Sequence, residues 1–242
     1  MIFQRNGTRV PATQTDLALE LPDVTLRGWV TNPGAPRAIV YFGGNAEQVG
    51  LYRDMFEAQF PRHATYLLAY RGYGASDGEP SEVALVQDGL QIVDEAARRH
   101  PDTPVAVIGR SLGSGVAMQV AARRPGLGRL VLVTPFDSLA AVIRDIVRGM
   151  PLGGLVADRF DSLAVAGQIT MPTLVVRAGR DEVIAASRTD ALVAGLPPQL
   201  TTVRDFPAAD HNSISAYAAY WACIRDFLDP GDDGSPAETA TG

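Results

Sequence analysis

The sequence predicts an α/β fold, a mostly parallel sheet with helices on both faces. Three observations predict it. Apolar runs such as Ala38–Phe42, Thr65–Tyr70, Arg129–Thr134 and Thr173–Arg177 have strand length and little polar alternation, which suits strands buried on both faces. Stretches with helical spacing separate them, as crossover connections between parallel strands require. The third is Val105–Arg124, VAVIGRSLGSGVAMQVAARR, in which an apolar run passes through Gly109-Arg110-Ser111-Leu112-Gly113 into an Ala-rich helical pattern. A serine on so sharp a strand-to-helix turn needs minimal side chains two positions either side, or the backbone cannot close.

Taken in order, Leu17–Leu21 and Val24–Val30 alternate around Pro22-Asp23 and predict an antiparallel hairpin at a sheet edge. Ala38–Phe42 ends in Gly43-Gly44-Asn45-Ala46, followed by a helical pattern that places Tyr52, Met55 and Phe56 on one side. Thr65–Tyr70 runs into the Gly-rich loop Arg71–Ser81. Ser81 can N-cap the next helix, whose face is Val86, Leu90, Val93 and Ala97. Pro104–Gly109 is the strand before the serine turn, and the helix after it runs to Pro125. The stretch 136–170 is a small cap-like insertion carrying the stripe Leu139, Val142, Ile143, Ile146 and Met150. Thr173–Arg177 leads through Ala178–Ile184 into a helix ending near Gly195. Leu200–Phe206 is the last strand, and Ser213–Leu228 the last helix. Residues 1–228 form a single domain, and 229–242, rich in Asp, Pro and Gly, is expected to be a disordered tail.

The 242 residues suffice for one large core, and 46% hydrophobic with 20% charged residues is ordinary for a globular domain. A net charge of −6 without a basic block points to neither nucleic acid nor an anionic membrane. The N-terminus lacks an apolar signal core, and no run approaches the ~20 apolar residues of a membrane span. The expected location is cytoplasmic. The single cysteine, Cys223, has no partner for an internal disulfide and suits a small buried apolar role. No His/Cys/Asp cluster has metal-ligand spacing, so neither metal nor cofactor is expected. Arg71-Gly72-Tyr73-Gly74 does not match a phosphate-binding loop and is read as a shaped loop beside the site.

In open parallel sheets, ligands bind beyond the carboxyl ends of the strands. The candidates sit there: Gly44-Asn45 after one strand, Ser111 after another, Asp181 and His211 after two more. A serine hydroxyl becomes a good nucleophile when an imidazole accepts its proton. Of the three histidines, His63 precedes a strand and His100 closes a helix; both are expected at the surface. His211, in the loop after the last strand, is the candidate base. The imidazole needs a carboxylate to fix its tautomer. Asp181 completes the order Ser, Asp, His, although the same residue could simply cap the helix behind it. Glu182, Asp137 and Asp210 are the competitors. Oxyanion donors would be the backbone N–H of Leu112 and of Asn45; alternatively Gly43-Gly44 merely makes a tight turn.

Tyr41–Glu47, Tyr70–Ser76, Gly109–Gly115, Ala178–Ile184 and Asp210–Asn212 together resemble the α/β-hydrolase superfamily, and within it the small-capped Bem46-like serine hydrolases. The resemblance spans about residues 25 to 228. It implies a Ser111 nucleophile, Asp181 acid, His211 base and oxyanion donors at Asn45 and Leu112. Relatives carry His-Gly-Asn-Ala where this chain has Gly43-Gly44-Asn45-Ala46. Family members cleave esters, thioesters and sometimes amides. The expectation is therefore a serine hydrolase acting on an ester or thioester of a small or accessible acyl substrate. An aminopeptidase-like amidase and a non-catalytic ligand-binding module on the same scaffold are the alternatives. The stripe Leu139–Met150 either packs into the core or lines an acyl pocket.

Overall fold

A computed structural model describes residues 2–147 and 157–231. Eight strands form one sheet: β1 (Leu17–Glu20), β2 (Thr25–Thr31), β3 (Arg37–Phe42), β4 (His63–Leu68), β5 (Ala106–Arg110), β6 (Arg129–Val133), β7 (Thr173–Ala178) and β8 (Thr201–Phe206). Their order is β1-β2-β4-β3-β5-β6-β7-β8. The β1–β2 and β2–β4 pairs are antiparallel and every other pair is parallel. The expected N-terminal hairpin is thus present, with β1 at the edge.

Helices α1 (Arg53–Gln59), α2 (Glu82–Arg99), α3 (Leu112–Arg123), α4 (Leu139–Ile146), α5 (Ser162–Ala166), α6 (Ala186–Gly195) and α7 (Ala218–Leu228) connect or follow the strands. The step from β3 to β4 runs one way along the sheet and the step from β4 to β5 runs back. Right-handed crossovers therefore put α1 and α2 on opposite faces. Contacts agree: α2 packs on α3, α3 on α5 and α5 on α6. On the other face, Phe56 of α1 meets Trp221 of α7 edge-on at 5.7 Å. Ser81 N-caps α2, its hydroxyl accepting from the Ala84 N–H as expected. β3 and β5 are neighbours whose connections diverge, so the crevice beyond their carboxyl ends is the switch point at which such sheets bind ligands.

Several details differ from expectation. The last helix is interrupted: a 3-10 turn at Ile214–Ala216 precedes α7, because Tyr217 is extended (φ −85°, ψ 126°). His63 and His100 are buried, 3% and 9% exposed, not at the surface. His63 opens β4, edge-on to Phe60, with Nε2 3.6 Å from the Asp229 carboxylate. His100 Nε2 lies 3.1 Å from the Tyr66 hydroxyl. Asp229, where the polar tail begins, is the C-cap of α7 and is paired with Arg37; residues 232–242 lie outside the described residues. Cys223 is half-buried, and its thiol donates to the Tyr220 carbonyl. Of the cap stripe, Val142 is buried and Ile146 exposed, while Met150 lies outside the described residues.

Burial lowers the His63 pKa; Asp229 opposes that, and Arg37 and Arg62 reinforce it. Burial, then the charge of Arg99, lowers that of His100. As pH falls through the ordinary imidazole range, the unfolded chain takes up protons that the folded chain does not. This contribution to stability is present above that range and is lost toward the folded values. The melting temperature is therefore expected to be lower at pH 5.5 than at 7.5, with a smaller difference in His63→Gln. Equal pH dependence in both proteins would contradict the assignment.

Candidate active site

Ser111 stands between β5 and α3 with φ 50° and ψ −118°, a strained conformation for a residue with a side chain. Its surroundings hold it there. The Ser111 N–H donates to the Val133 carbonyl at 3.0 Å, and the Ser114 N–H and hydroxyl both donate to the Ser111 carbonyl, at 2.9 and 2.6 Å. The flanking glycines permit the close approach. A Cβ on Gly109 would lie 2.4 Å from the Gly113 carbonyl oxygen, and one on Gly113 2.0 Å from that of Phe42.

His211 Nε2 lies 3.0 Å from Ser111 Oγ, and its Nδ1 2.8 Å from Asp181 Oδ2. The three side chains singled out in the sequence thus form one continuous hydrogen-bonded line. The His211 and Asp181 side chains are only 9% and 8% exposed, which shields the pair from water. The second carboxylate oxygen of Asp181 accepts the N–H groups of Val183 and Ile184 at 2.9 and 2.7 Å. Asp181 therefore orders its own turn as well as facing the histidine; it is not the N-cap of α6, a position held by Ala185.

Two of the three competing carboxylates are engaged elsewhere. Asp137 accepts from the Ser138 N–H and from Arg188. Glu182 is exposed. Asp210 accepts the N–H groups of Asn212 and Ser213, which lower its pKa.

The loop after β3 lies against the serine: a Cβ on Gly44 would be 3.6 Å from Ser111 Cβ. The Gly44 N–H is taken by Glu47 Oε2 at 3.1 Å. The Asn45 N–H has no protein acceptor among the described residues. The Asn45 side chain is fully engaged. Its oxygen accepts from the Gln4 N–H at 2.9 Å and the Tyr73 hydroxyl at 2.8 Å, and its amide donates to the Ile2 carbonyl at 2.8 Å. The Tyr70 hydroxyl donates to the Gly43 carbonyl at 2.8 Å. The Gly-rich loop read as flanking the site thus props the segment that carries Asn45. Arg71 of that loop is held bidentately by Asp88, so it is not presented to an anion. Leu112 opens α3, and its N–H has no partner within the helix.

Residues 34–165 match the family model described as serine aminopeptidase, S33. An uncharacterized protein of Mycobacterium tuberculosis is 32% identical over 206 residues, covering 81% of this chain and 72% of that protein. Protein bem46 of Schizosaccharomyces pombe is 27% identical over 220 residues, covering 85% and 72%. The chain belongs to the Bem46-like α/β-hydrolases. The fold of this Bem46-like hydrolase is similar to that of Est1E from Butyrivibrio proteoclasticus, solved with ferulic acid bound, with TM-score 0.67, 17% identity, and 88% and 99% of the two chains covered. An uncharacterized membrane protein of Saccharomyces cerevisiae is 27% identical over 215 residues, covering 85% and 75%. In the chain described here, no helix among the described residues is long and apolar enough to cross a membrane.

Sequence reasoning passed over two residues of this Bem46-like site. Arg110, beside the serine, and Glu47, three residues past Gly44, form a buried ion pair. The signal was a single charged residue inside each of two otherwise uncharged motifs. Val49, with Glu47 beside it, accounts for Gly43. A Cβ there would lie 2.7 Å from Val49 Cγ1 and 3.2 Å from Glu47 Oε1, so these side chains occupy the space that a histidine at position 43 would need.

Proposed function

We propose that this protein is a serine hydrolase that cleaves an ester or thioester of a small or accessible acyl substrate through an acyl-enzyme on Ser111. The observation that carries it is the line Ser111 Oγ–His211 Nε2–His211 Nδ1–Asp181 Oδ2, with distances of 3.0 and 2.8 Å.

His211 Nε2 accepts the Ser111 proton as Oγ bonds to the acyl carbon, and Asp181 stabilises the resulting imidazolium. The N–H groups of Asn45 and Leu112 receive the developing oxyanion. Nε2–H then protonates the departing alcohol or thiol. Water, deprotonated by His211, attacks the acyl-enzyme, and the reverse proton transfer releases the acid and restores Ser111.

The aminopeptidase-like alternative is favoured by the description of the matched family. An aminopeptidase needs a carboxylate available to a substrate ammonium. Glu47, the carboxylate beside Gly44, is already committed to Arg110, to the Tyr41 hydroxyl and to the Gly44 N–H. Glu47 is therefore not available for that role.

Two measurements test the proposal. A fluorophosphonate probe is expected to label the wild type and not Ser111→Ala, whereas equal labelling would sink the serine assignment. p-Nitrophenyl esters are expected to be hydrolysed with higher kcat/KM than aminoacyl p-nitroanilides; the opposite ranking would favour the amidase. A non-catalytic module would show no ester turnover above background in the wild type, and Ser111→Ala would remove none.

A further inference from the structure

The Arg110 guanidinium reaches three segments at once. It starts from the last residue of β5, immediately before Ser111. Nη1 is paired with Glu47 Oε2 and lies 3.5 Å from the Tyr52 hydroxyl. Nη2 donates to the His211 carbonyl at 3.2 Å and approaches Asn212 Oδ1 at 3.5 Å. Glu47 in turn accepts from the Gly44 N–H at 3.1 Å and the Tyr41 hydroxyl at 2.5 Å. Both charged side chains are below a tenth exposed. Burial works against the Arg110 charge, and Glu47, Tyr41 and Tyr52 together outweigh it, so the pKa is raised.

We propose that Arg110 and Glu47 are positioning residues that lock the serine turn, the Gly43–Glu47 loop and the His211 loop into one geometry. This rests on the proposed serine mechanism, because each of the three segments carries one part of that chemistry. A planar fork can hold a carboxylate on one nitrogen and a carbonyl on another, and a lysine ammonium on a flexible stem cannot hold both in fixed directions. The pair also lies against the Gly43–Glu47 loop: a Cβ on Gly43 would lie 3.2 Å from Glu47 Oε1, and one on Gly44 3.8 Å from Arg110 Nη1. A buried pair has a characteristic response to substitution: removing one partner strands a charge, and removing both does not.

The test uses kcat and KM on p-nitrophenyl acetate, the rate of fluorophosphonate labelling, and thermal melts. The proteins are wild type, Ser111→Ala, Arg110→Lys, Glu47→Gln and the double variant Arg110→Gln/Glu47→Gln. Arg110→Lys keeps the charge and should melt near the wild type, yet its kcat should fall about 10- to 100-fold with KM little changed, as a misplacement of about 1 Å demands. Glu47→Gln should lose a similar factor, and the double variant should do no worse than the poorer single variant. Wild-type kcat in Arg110→Lys, or losses that merely follow the unfolded fraction, would overturn the positioning role while leaving the serine mechanism standing. Failure of the wild type itself to label would instead overturn the serine mechanism and this inference with it.

Discussion

Asp181→Asn is expected to lower kcat for ester hydrolysis by about 10⁴-fold while leaving the fold intact. The local hydrogen bonds say why. Asp181 Oδ1 accepts from the Val183 and Ile184 N–H groups, and Oδ2 faces His211 Nδ1. An asparagine must keep its oxygen toward the two N–H groups, which turns its amide nitrogen toward the histidine. That nitrogen donates, so Nδ1 must accept and the ring proton moves to Nε2. Nε2–H then points at Ser111 and cannot take its proton. Asp137→Asn, which alters contacts to Ser138 and Arg188 instead, should leave kcat within a few-fold. A loss of less than tenfold in Asp181→Asn, or a larger one in Asp137→Asn, would show that the acid had been misassigned.

The second large effect belongs to Gly113. A methyl group there would lie 2.0 Å from the Phe42 carbonyl oxygen, 2.5 Å from its carbon and 2.6 Å from the Gly43 oxygen. These are backbone atoms at and just past the end of β3, a strand paired on both sides, so no rotamer change relieves the contact. The first turn of α3 must lift away from β3, or the chain must not fold. Overpacking of a core costs about 1–3 kcal/mol and more where backbone must move, and at about 2–4 °C per kcal/mol for a domain of this size the melting temperature should fall by roughly 10 °C. Activity should fall further than stability, because the shift separates Ser111 from the segment carrying Asn45. Gly126→Ala is the control, since nothing lies within 4 Å of its added methyl. A Gly113→Ala protein with wild-type melting and turnover would refute the packing argument.

The parts of this architecture that were legible in the sequence are those written locally. Buried parallel strands appear as continuous apolar runs, and β3 through β8 fall within a few residues of their expected places. The serine turn was legible because its motif is contiguous and Gly109 is required by the nearby Gly113 carbonyl and Ala117, although Gly113 is required by Phe42 and Gly43 of a distant segment. Ser111, Asp181 and His211 could be grouped as candidates because each follows a strand, and the topology brings strand ends to one edge. What was not legible depends on partners distant in the chain. His63 is buried against Asp229, which lies beyond the last helix, and His100 against Tyr66 on another strand. Arg110 and Glu47 are 63 residues apart, and Gln4 and Asn45 are 41 apart. Spacing and periodicity carry no information about such pairs, and only the folded sheet brings them together. The break at Tyr217 is local instead: the Trp221 indole donates to the Ser215 carbonyl six residues earlier, at 2.8 Å, a side-chain bond that helical periodicity does not record.

The central claim is a covalent acyl group on Ser111, and the most direct measurement is the intact mass of the protein quenched in acid during turnover of p-nitrophenyl acetate. A species heavier by one acetyl group is expected, mapped by peptide sequencing to Ser111 and absent from Ser111→Ala. Acetyl on another residue, or turnover that survives Ser111→Ala, would contradict it.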